Sequence, residues 1–342
     1  MSLFLIHTDR FGDHRPPPGH PERVERAEVM RGVANAWKQR GRIVQAPRIA
    51  TRQELARVHS DAHLAAIDNT AGRAVSLDPD TYTSPESRDV ALLAAGAAIG
   101  AVDAIVQERA TRVMALVRPP GHHAERDRAM GFCLYNNIAA AAAHALALGI
   151  ERVVIVDYDV HHGNGTQWIF YEDPRVLYVS THQYPFYPGT GAAEDVGRGK
   201  GAGLTLNVPL EAGATDGDYE EVFKALVIPV IDQFRPGLVM ISAGYDAHER
   251  DPLARMRLTT AGYAALTKSL CDASDRHCHG RVIAITEGGY DLAALKACLE
   301  STVAVLDGAP VPQPSDPPRP ATQRSRMTIA QVRSAQGKYW KL

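Results

Sequence analysis

The run at residues 153–165 constrains this chain most, because it begins as a buried strand and ends in charged side chains. Residues 153–156 form a continuous row of β-branched side chains, which is typical of a strand buried on both faces in a parallel sheet. If extended geometry continues, Asp157, Asp159 and His161 project to the same side, because strand side chains alternate with a period of two. The run therefore offers two or three ligands to a divalent metal.

The ligand types in this run favour a catalytic metal over a structural one. Carboxylate and imidazole without thiolate suit zinc in a catalytic site, or a similar divalent ion, whereas a closed structural zinc site more often uses cysteines. An Asp-x-Asp pair at the end of a strand is also common as a loop cap or as part of a salt bridge. The metal interpretation therefore depends on whether other strands end in the same way.

Composition excludes several classes of function. The 342 residues are 45% hydrophobic and 22% charged, with a formal net charge of -2, as in an ordinary soluble globular protein. This balance leaves no electrostatic footprint for nucleic acid. The apolar run at residues 3–6 is too short for a signal sequence or a membrane span, so we expect a cytoplasmic protein without a membrane partner. The cysteines form no Cys-x-x-Cys pair, which predicts reduced thiols.

Apolar β-branched runs alternate with helical segments along most of the chain. The predicted strands after a first one at 4–7 are 113–117, 153–156, 176–180, 204–208, 238–242 and 282–286. The predicted helices are 22–40, 52–68, 86–108, 136–148, 165–171, 216–234, 259–271 and 292–306, and residues 76–85 are predicted to form a polar loop. This alternation predicts a doubly wound, mostly parallel sheet.

The end of the chain departs from this alternation. The segment 308–320 is proline-rich and cannot pack as a regular element, whereas the tail at 321–342 regains apolar residues. We expect the tail to cross the surface and dock back on the rest of the protein. Because no second linker or internal repeat is present, the sequence predicts a single domain over residues 1–342.

Polar side chains follow several of the predicted strands, at the edge where an open parallel sheet binds its ligands. His122 and His123 come after the strand at 113–117, Asp246 after 238–242, and Tyr290 after 282–286. Paired imidazoles favour proton transfer, because histidine titrates near neutrality. Asp246 supplies a third metal ligand, and a phenol such as that of Tyr290 can stabilise an oxyanion. Taken singly, these residues are also compatible with surface histidines, a helix cap and a packing tyrosine.

With these residues assembled, the sequence resembles the zinc-dependent histone deacetylase family, above all its class II type and the bacterial histone-deacetylase-like amidohydrolases. The resemblance runs from His20 to Trp340. Its motifs are Arg118-Pro-Pro-Gly-His-His123, Gly131-Phe-Cys-Leu-Tyr-Asn-Asn137, Asp157-Tyr-Asp-Val-His-His-Gly-Asn-Gly165, Tyr187-Pro-Gly-Thr-Gly191, Ser242-Ala-Gly-Tyr-Asp246 and Glu287-Gly-Gly-Tyr290. It implies an α/β fold, a three-layer α/β/α sandwich around a mostly parallel eight-stranded sheet of the arginase/deacetylase type.

The resemblance also assigns metal ligands. It implies that Asp159, His161 and Asp246 bind one catalytic Zn²⁺ and leave a coordination position open, which agrees with the ligand count of a catalytic site. It further implies a structural K⁺ ion near five residues, Asp157, Asp159, His161, Ser180 and Thr181.

Catalytic roles are carried over from the same motifs. His123 is expected to act as general base and then general acid, with Asn164 as its partner. Asn at this position is the class II pattern, where class I has Asp. His122, paired with Asp157, is expected to be an electrostatic helper, and Tyr290 to polarise the substrate carbonyl.

Substrate-binding residues follow from the resemblance as well. Phe132 and Tyr187 match the two aromatic walls of the acyl-lysine tunnel, with tyrosine at 187 in place of the usual phenylalanine. Gly131 and His20 belong to the matching motifs and are assigned to substrate binding too. Leu253 is placed at the tunnel mouth by its Asp-Pro-Leu context, where polyamine-selective relatives of class II carry glutamate.

The implied reaction is hydrolysis of an N-acetyl amide, on acetylated lysine of a protein or peptide, with release of acetate. Acetylpolyamines or other small acetylated amines are the alternative substrates. A silent acyl-lysine binding module is disfavoured by the intact Tyr290 and the two histidines, and a dinuclear manganese ureohydrolase by the missing bridging carboxylate at Asn164. A homo-oligomer is compatible with the sequence, which does not decide the oligomeric state.

Overall fold

The structure, a computed structural model, describes residues 2–312 and 320–342, and is built around an eight-stranded sheet. In chain order the strands are β1 Leu3–Ile6, β2 Val44–Gln45, β3 Val75–Ser76, β4 Tyr82–Thr83, β5 Arg112–Ala115, β6 Val153–Asp157, β7 Val176–Gln183, β8 Thr205–Leu210, β9 Leu238–Ala243 and β10 Val282–Thr286. The sheet has the order β2-β1-β5-β10-β9-β6-β7-β8, and every neighbouring pair is parallel. β3 and β4 form a separate antiparallel pair.

Helices connect these strands, as parallel pairing requires. They are α1 Glu25–Gln39, α2 Arg52–Leu55, α3 Asp61–Asp68, α4 Ser87–Val106, α5 Asn137–Ala147, α6 Asn164–Phe170, α7 Asp216–Val222, α8 Ile228–Phe234, α9 Thr260–His277, α10 Leu292–Leu306 and α11 Gln323–Gln336. A π-helical turn, Phe223–Val227, joins α7 to α8, and 3-10 turns cover Asp9–Asp13 and Gly199–Gly201.

The alternation of side chains along β6 shows why the fold has three layers. Val154 and Val156 point into a core shared with α1, α9 and α10, whereas Val153 and Ile155 point into the opposite core, shared with α4 and α5. All five residues of this strand are buried. A strand that must fill two cores can contain no polar alternation, which explains its continuous apolar sequence. The predicted α/β/α sandwich is confirmed.

Helix α4 packs closely within this architecture. Of the helices in the described ranges, it is the one long and apolar enough to cross a membrane by length and composition, and 78% of its apolar stretch is buried in the protein. A Cβ on Gly96 would collide with the backbone carbonyl of Arg48, so this position requires glycine. The helix has the properties of a buried core helix, which passes the same length and composition test.

Two of the predicted elements are wrong in detail. The helix predicted at 52–68 is interrupted, because Ser60 caps the start of α3 by accepting a hydrogen bond from the N–H of His63. A Thr51–Glu54 capping box starts α2 separately. The predicted polar loop at 76–85 contains strand pairing, in which Ser76 lies opposite Tyr82.

The C-terminal helix α11 packs against edge strand β8. Gln336 donates from its side chain to the carbonyl of Thr205 at 2.6 Å, and the Trp340 indole donates to the carbonyl of Gly203 at 2.7 Å. At its start, the N–H of Thr322 donates to Asp218 at 2.6 Å. Residues 313–319 of the predicted proline-rich segment lie outside the described residues.

Candidate active site

The strands whose ends carry the candidate residues are neighbours in the sheet. β5, β10, β9 and β6 stand side by side at its centre, so the segments that follow them converge at one edge. The register pairs Asp157 at the end of β6 with Ser242 near the end of β9. Sequence-distant residues are therefore brought together by strand order alone.

Three of these residues form a tight cluster at that edge. Asp159, His161 and Asp246 are buried, and their candidate ligand atoms all lie within 4.8 Å of one another. His161 Nδ1 is 3.1 Å from Asp159 Oδ1 and 3.1 Å from Asp246 Oδ2. Backbone N–H groups orient the two carboxylates: Val160 donates to Asp246 at 2.9 Å and Gly288 donates to Asp159 at 2.8 Å. We name these three residues the acidic triad.

The acidic triad has an excess of negative charge. Burial opposes protonation of His161, yet hydrogen bonds to Asp159 and Asp246 raise its pKa to about 10. Burial and the neighbouring charge of Asp159 raise the pKa of Asp246. The raised pKa of His161 and the raised pKa of Asp246 both show that the triad stabilises added positive charge. A Cβ on Gly244 would collide with Asp159, so glycine beside the triad leaves the carboxylate room. Two carboxylates and an imidazole in this arrangement fit a divalent ion such as zinc.

His122 lies next to the triad and is held by a carboxylate of its own. Its Nδ1 donates to Asp157 Oδ2 at 2.9 Å, and the Tyr178 hydroxyl donates to the same oxygen at 3.2 Å. Burial opposes a charge on His122, but Asp157 and Asp159 raise its pKa well above the usual value. The two carboxylates therefore favour the protonated form of His122.

His123 has the opposite environment, although the two rings are only 4.1 Å apart. Burial lowers its pKa well below the usual value, and the charges on His122 and His161 lower it further. Its Nδ1 donates to Asn164 Oδ1 at 2.7 Å. Because Nδ1 is engaged, Nε2 is the nitrogen left to accept and return a proton.

Tyr290 is placed by the glycine turn after β10. Its backbone N–H donates to Asp251 Oδ2 at 2.7 Å, and the Arg26 guanidinium carbon lies 5.1 Å from its ring centre. Burial raises the pKa of the Tyr290 phenol well above the usual value, so the hydroxyl stays protonated and can donate a hydrogen bond. This is the property expected of an oxyanion stabiliser.

Aromatic rings line the approach to these groups. The Phe132 ring is 4.6 Å from the His20 ring, and the Tyr187 ring is 5.2 Å from His123 and 6.0 Å from His161. Each contact is edge-to-face, an arrangement that aromatic pairs favour. Phe132 thus lies beside His20 and, with 5.9 Å between ring centres, beside Tyr290, whereas Tyr187 lies beside His123 and His161.

The turn that carries Phe132 is held in an unusual backbone conformation. Gly131 and Phe132 have φ angles of 57° and 69°, and a Cβ on Gly131 would collide with the His123 ring. The β3–β4 loop stabilises the turn, since Asp80 accepts from the N–H of Gly131 at 3.2 Å and Thr81 from that of Phe132 at 3.1 Å. Glycine at 131 therefore serves both the strained turn and the close approach to the His123 imidazole.

Leu253 lies at the surface near Tyr290. Together with His20 these two residues line a surface cavity of about 910 Å³. The Leu253 N–H donates to Asp251 Oδ1 at 3.0 Å, so the carboxylate that holds Tyr290 also holds Leu253.

Of the five residues expected around potassium, Asp159 and His161 belong to the acidic triad itself. Asp157 on β6 pairs in register with Ser180 on β7, and Thr181 follows it along the same strand. The side chains of Ser180 and Thr181 project to opposite faces of the sheet, because side chains alternate along a strand. The strand pairing therefore brings Ser180 beside Asp157, whereas the Thr181 side chain faces away from that of Ser180.

Sequence reasoning missed several residues that shape the site. Phe186 stacks on His161 with 5.3 Å between ring centres, and Glu125 accepts a hydrogen bond from Asn164. The sequence analysis used Asp251 only as the first residue of the Asp-Pro-Leu motif. These residues lie in loops, where no periodic pattern indicates a contact. Glu287, which accepts from the N–H groups of Gly121 and His122, directly follows β10 and so had a usable strand-end signal.

Comparisons with known proteins agree with this geometry. The histone deacetylase domain model matches residues 20–306. A probable deacetylase of Archaeoglobus fulgidus is 35% identical, and the alignment covers 100% of this chain and 99% of that protein. The histone deacetylase-like amidohydrolase of Pseudomonas aeruginosa is 39% identical over 86% of this chain and 79% of its own length. The polyamine deacetylase HDAC10 of Homo sapiens is 39% identical over 93% of this chain and 50% of its own length.

A solved structure agrees over nearly the whole chain. The crystal structure of the HDA15 HD domain superposes with a TM-score of 0.91 and 38% identity, covering 99% of this chain and 97% of that one. The fold, the geometry of the site and the sequence motifs all indicate the same family. The chain belongs to the histone deacetylase family, whose members are deacetylase amidohydrolases.

Proposed function

We propose that this protein hydrolyses the acetyl-lysine side chains of proteins or peptides, releasing acetate, with a zinc ion held by Asp159, His161 and Asp246. The observation that carries this proposal is the position of His123. Its ring lies 5.8 Å from that of His161 and 5.2 Å from that of Tyr187, so it is next to both a proposed metal ligand and a proposed tunnel wall. A neutral imidazole at this point can serve water on one side and the scissile amide on the other.

When bound, zinc supplies a Lewis acid for the acyl carbonyl and for water. His123 Nε2 takes a proton as water attacks and later returns it to the leaving amine. His123 becomes cationic between these two steps, and the amide oxygen of Asn164 stabilises that form. His122 is held by Asp157, which favours its protonated form, and a protonated imidazole here stabilises the negative charge that develops on the substrate.

Tyr290 donates its phenolic hydrogen to the developing oxyanion. Asp251 fixes the backbone of this tyrosine, and Arg26 lies against its ring. Because the phenol pKa is raised by burial, donation does not become proton loss at neutral pH. Phe132 and Tyr187 fit the apolar stem of a lysine side chain, which buries its methylene groups along apolar surface.

Acetylpolyamines are the second candidate substrates. One relative, the human HDAC10, is named a polyamine deacetylase. Against this candidate, the entrance residue is Leu253, and an apolar side chain offers no charge to the distal ammonium of a polyamine. We therefore propose the lysine substrate first.

A substrate panel tests both proposals. Acetate release from acetyl-lysine peptides, N-acetylputrescine and acetylspermidine is to be measured as kcat/KM on a preparation of known zinc content. We expect the peptides to be preferred. Preference for the acetylated amines would replace the substrate assignment, and no acetate release from any amide by the zinc-loaded protein would overturn the proposed reaction.

We further propose a potassium ion at Asp157, Asp159, His161, Ser180 and Thr181. The pairing of Asp157 on β6 with Ser180 on β7, which brings two of the five residues together, supports a cation there. Thermal unfolding is to be compared in potassium chloride and choline chloride at equal ionic strength. We expect a higher Tm with potassium, since an ion bound to the folded state alone stabilises it. Equal Tm values would contradict this proposal.

A further inference from the structure

A carboxylate lies on the far side of Asn164 from the catalytic histidine. Asn164 Oδ1 accepts from His123 Nδ1 at 2.7 Å, and Asn164 Nδ2 donates to Glu125 Oε1 at 2.7 Å. Asn164 is buried, and the Glu125 side chain is 25% exposed. The three side chains thus form one continuous chain of hydrogen bonds.

The carboxylate decides how this chain is oriented. An asparagine side chain has an acceptor at one end and a donor at the other, whereas an ionised carboxylate only accepts. The amide NH₂ of Asn164 must therefore face Glu125, and its oxygen must face His123. An acceptor at that position selects the tautomer with hydrogen on His123 Nδ1, which leaves the lone pair on Nε2, where the reaction needs it.

The negative charge of Glu125 also stabilises the protonated form of His123. Asn164 is neutral, so by itself it gives the His123 imidazolium no counter-charge. The bond to Glu125 is charge-assisted, and hydrogen bonds in a buried chain polarise one another. Arg128 also approaches Glu125 Oε1 at 3.2 Å, but its side chain is 60% exposed, so water screens it more than the buried amide.

Glu125 is also held in place from its backbone. Its N–H donates to the carbonyl of Arg128 at 2.9 Å, and its own carbonyl accepts from His59 Nδ1 at 2.9 Å. His59 Nε2 in turn accepts from the N–H of Asn136 at 2.9 Å. This buried support keeps the carboxylate aimed at Asn164.

We propose that Glu125 is a positioning residue of the deacetylase: through Asn164 it fixes the tautomer of His123 and supplies the negative charge that Asn164 lacks. This role rests on the proposed function, in which His123 exchanges protons with water and the leaving amine.

Glu125→Gln tests the charge. We expect kcat to fall by about 10- to 100-fold, the range found when an orienting partner of an active-site group is removed, while KM changes by less than about two-fold. Zinc content and Tm should match the parent. Glu300→Gln, which removes the same charge from an exposed position on α10, is the matched control and should leave kcat unchanged. A Glu125→Gln variant with parental kcat would overturn the role.

Moving the charge gives a sharper test. In the double variant Glu125→Gln, Asn164→Asp, the carboxylate contacts His123 directly, so we expect kcat to recover at least about ten-fold over Glu125→Gln alone. Asn164→Asp alone would place a second carboxylate at the present 2.7 Å contact with Glu125. We expect its kcat to lie below the parental value, because like charges at this distance repel. A double variant no faster than Glu125→Gln would show that the charge is not what matters.

A spectroscopic measurement separates this role from the reaction itself. In the zinc-loaded parent, nitrogen-15 shifts should place the His123 proton on Nδ1, and one Asn164 side-chain amide proton should be shifted downfield by the carboxylate. Proton placement on Nε2, or an unshifted Asn164 amide, would overturn the role even if deacetylation is confirmed. If the parent releases no acetate, the proposed function fails, while these signals still decide the Glu125 contact.

Discussion

Two buried ionic clusters lie near the same edge of the sheet, and their charges are arranged differently. In the first, Glu22 accepts from Arg118 and from Arg26, each at 2.7 Å, and all three side chains are fully buried. Burial alone would raise the pKa of Glu22, but the two guanidinium groups hold it well below its usual range. In the acidic triad the pKa of Asp246 is instead raised, by burial and by the second carboxylate.

The Glu22 cluster holds the backbone that presents the acidic triad. Arg118 begins the segment that leads to the two histidines, and it donates to the carbonyl of Phe11 at 2.7 Å. Arg26 donates to the carbonyls of Glu287 and Gly289, the latter at 2.8 Å, in the turn before Tyr290. The difference teaches that a carboxylate flanked by two guanidinium groups serves structure, because its negative charge is fully compensated within the protein. Two carboxylates that share one imidazole instead leave negative charge that an external cation can compensate.

Asp246→Ala should have the largest effect, since it removes one ligand of three. We expect deacetylase activity to be abolished and the zinc content to fall, because a site with only two remaining ligands binds the ion poorly. Elemental analysis and acetate release measure both. Asp61→Ala, at a position with 88% side-chain exposure, is the control. A variant with stoichiometric zinc and near-parental turnover would remove Asp246 from the ligand set.

Substitutions beside the triad should separate chemistry from metal binding. His123→Ala and Tyr290→Phe are each expected to lower kcat by about two to four orders of magnitude, as for a general acid-base group or an oxyanion donor. Zinc content and Tm should stay near the parental values, since neither residue belongs to the triad. Turnover within a few-fold of the parent would exclude the altered residue from the mechanism.

Glu22→Gln tests the Glu22 cluster, with stability as the measured quantity. Leaving two guanidinium charges without a counter-ion is expected to cost about 3 to 5 kcal/mol at pH 7, as when a buried ion pair loses one partner. Because the folded pKa of Glu22 lies below the unfolded value of 4.5, its contribution is present above pH 4.5 and is lost as pH falls further.

Urea unfolding of the parent and of Glu22→Gln at several pH values measures this loss. The difference between the two proteins should be full at pH 7 and shrink progressively below pH 4.5. A difference that is small at pH 7, or that grows with acid, would show that Glu22 does not stabilise the fold by compensating the guanidinium charges.

Strand order explains why much of this site was predictable from sequence. Continuous apolar runs identified the central strands, and the rule that parallel sheets bind ligands at carboxyl ends then singled out Asp246, His122, His123 and Tyr290. The roles of Asn164 and of the tunnel residues required the family resemblance. Nothing in hydrophobic periodicity distinguishes an asparagine that orients a histidine from one that caps a helix.

Other features depend on contacts between distant loops and were missed for that reason. Glu125 meets Asn164 across 39 positions of sequence, and Asp251 meets Tyr290 across 39 positions. The break between α2 and α3 shows a different limit. There a local cap at Ser60 overrides the helical pattern that joins both segments. Loop conformation, set by tertiary contacts, is where the sequence is least informative.

The smallest expected effect concerns the proposed entrance, where Leu253→Glu would add a carboxylate. A carboxylate about 4 Å from the distal ammonium of a polyamine would gain about 1 to 4 kcal/mol, depending on screening by water. Arg15 and Arg23 line the same cavity and compete for the new charge, so we expect the lower end of this range.

The ratio of kcat/KM for acetylspermidine to that for an acetyl-lysine peptide measures the change, with Leu253→Gln as the neutral control of similar size. We expect the ratio to rise about ten-fold in Leu253→Glu, which corresponds to about 1.4 kcal/mol, and to stay near the parental value in Leu253→Gln. Equal ratios in all three proteins would show that position 253 does not face the distal end of the substrate. A parallel rise in both variants would assign the effect to lost apolar contact rather than to charge.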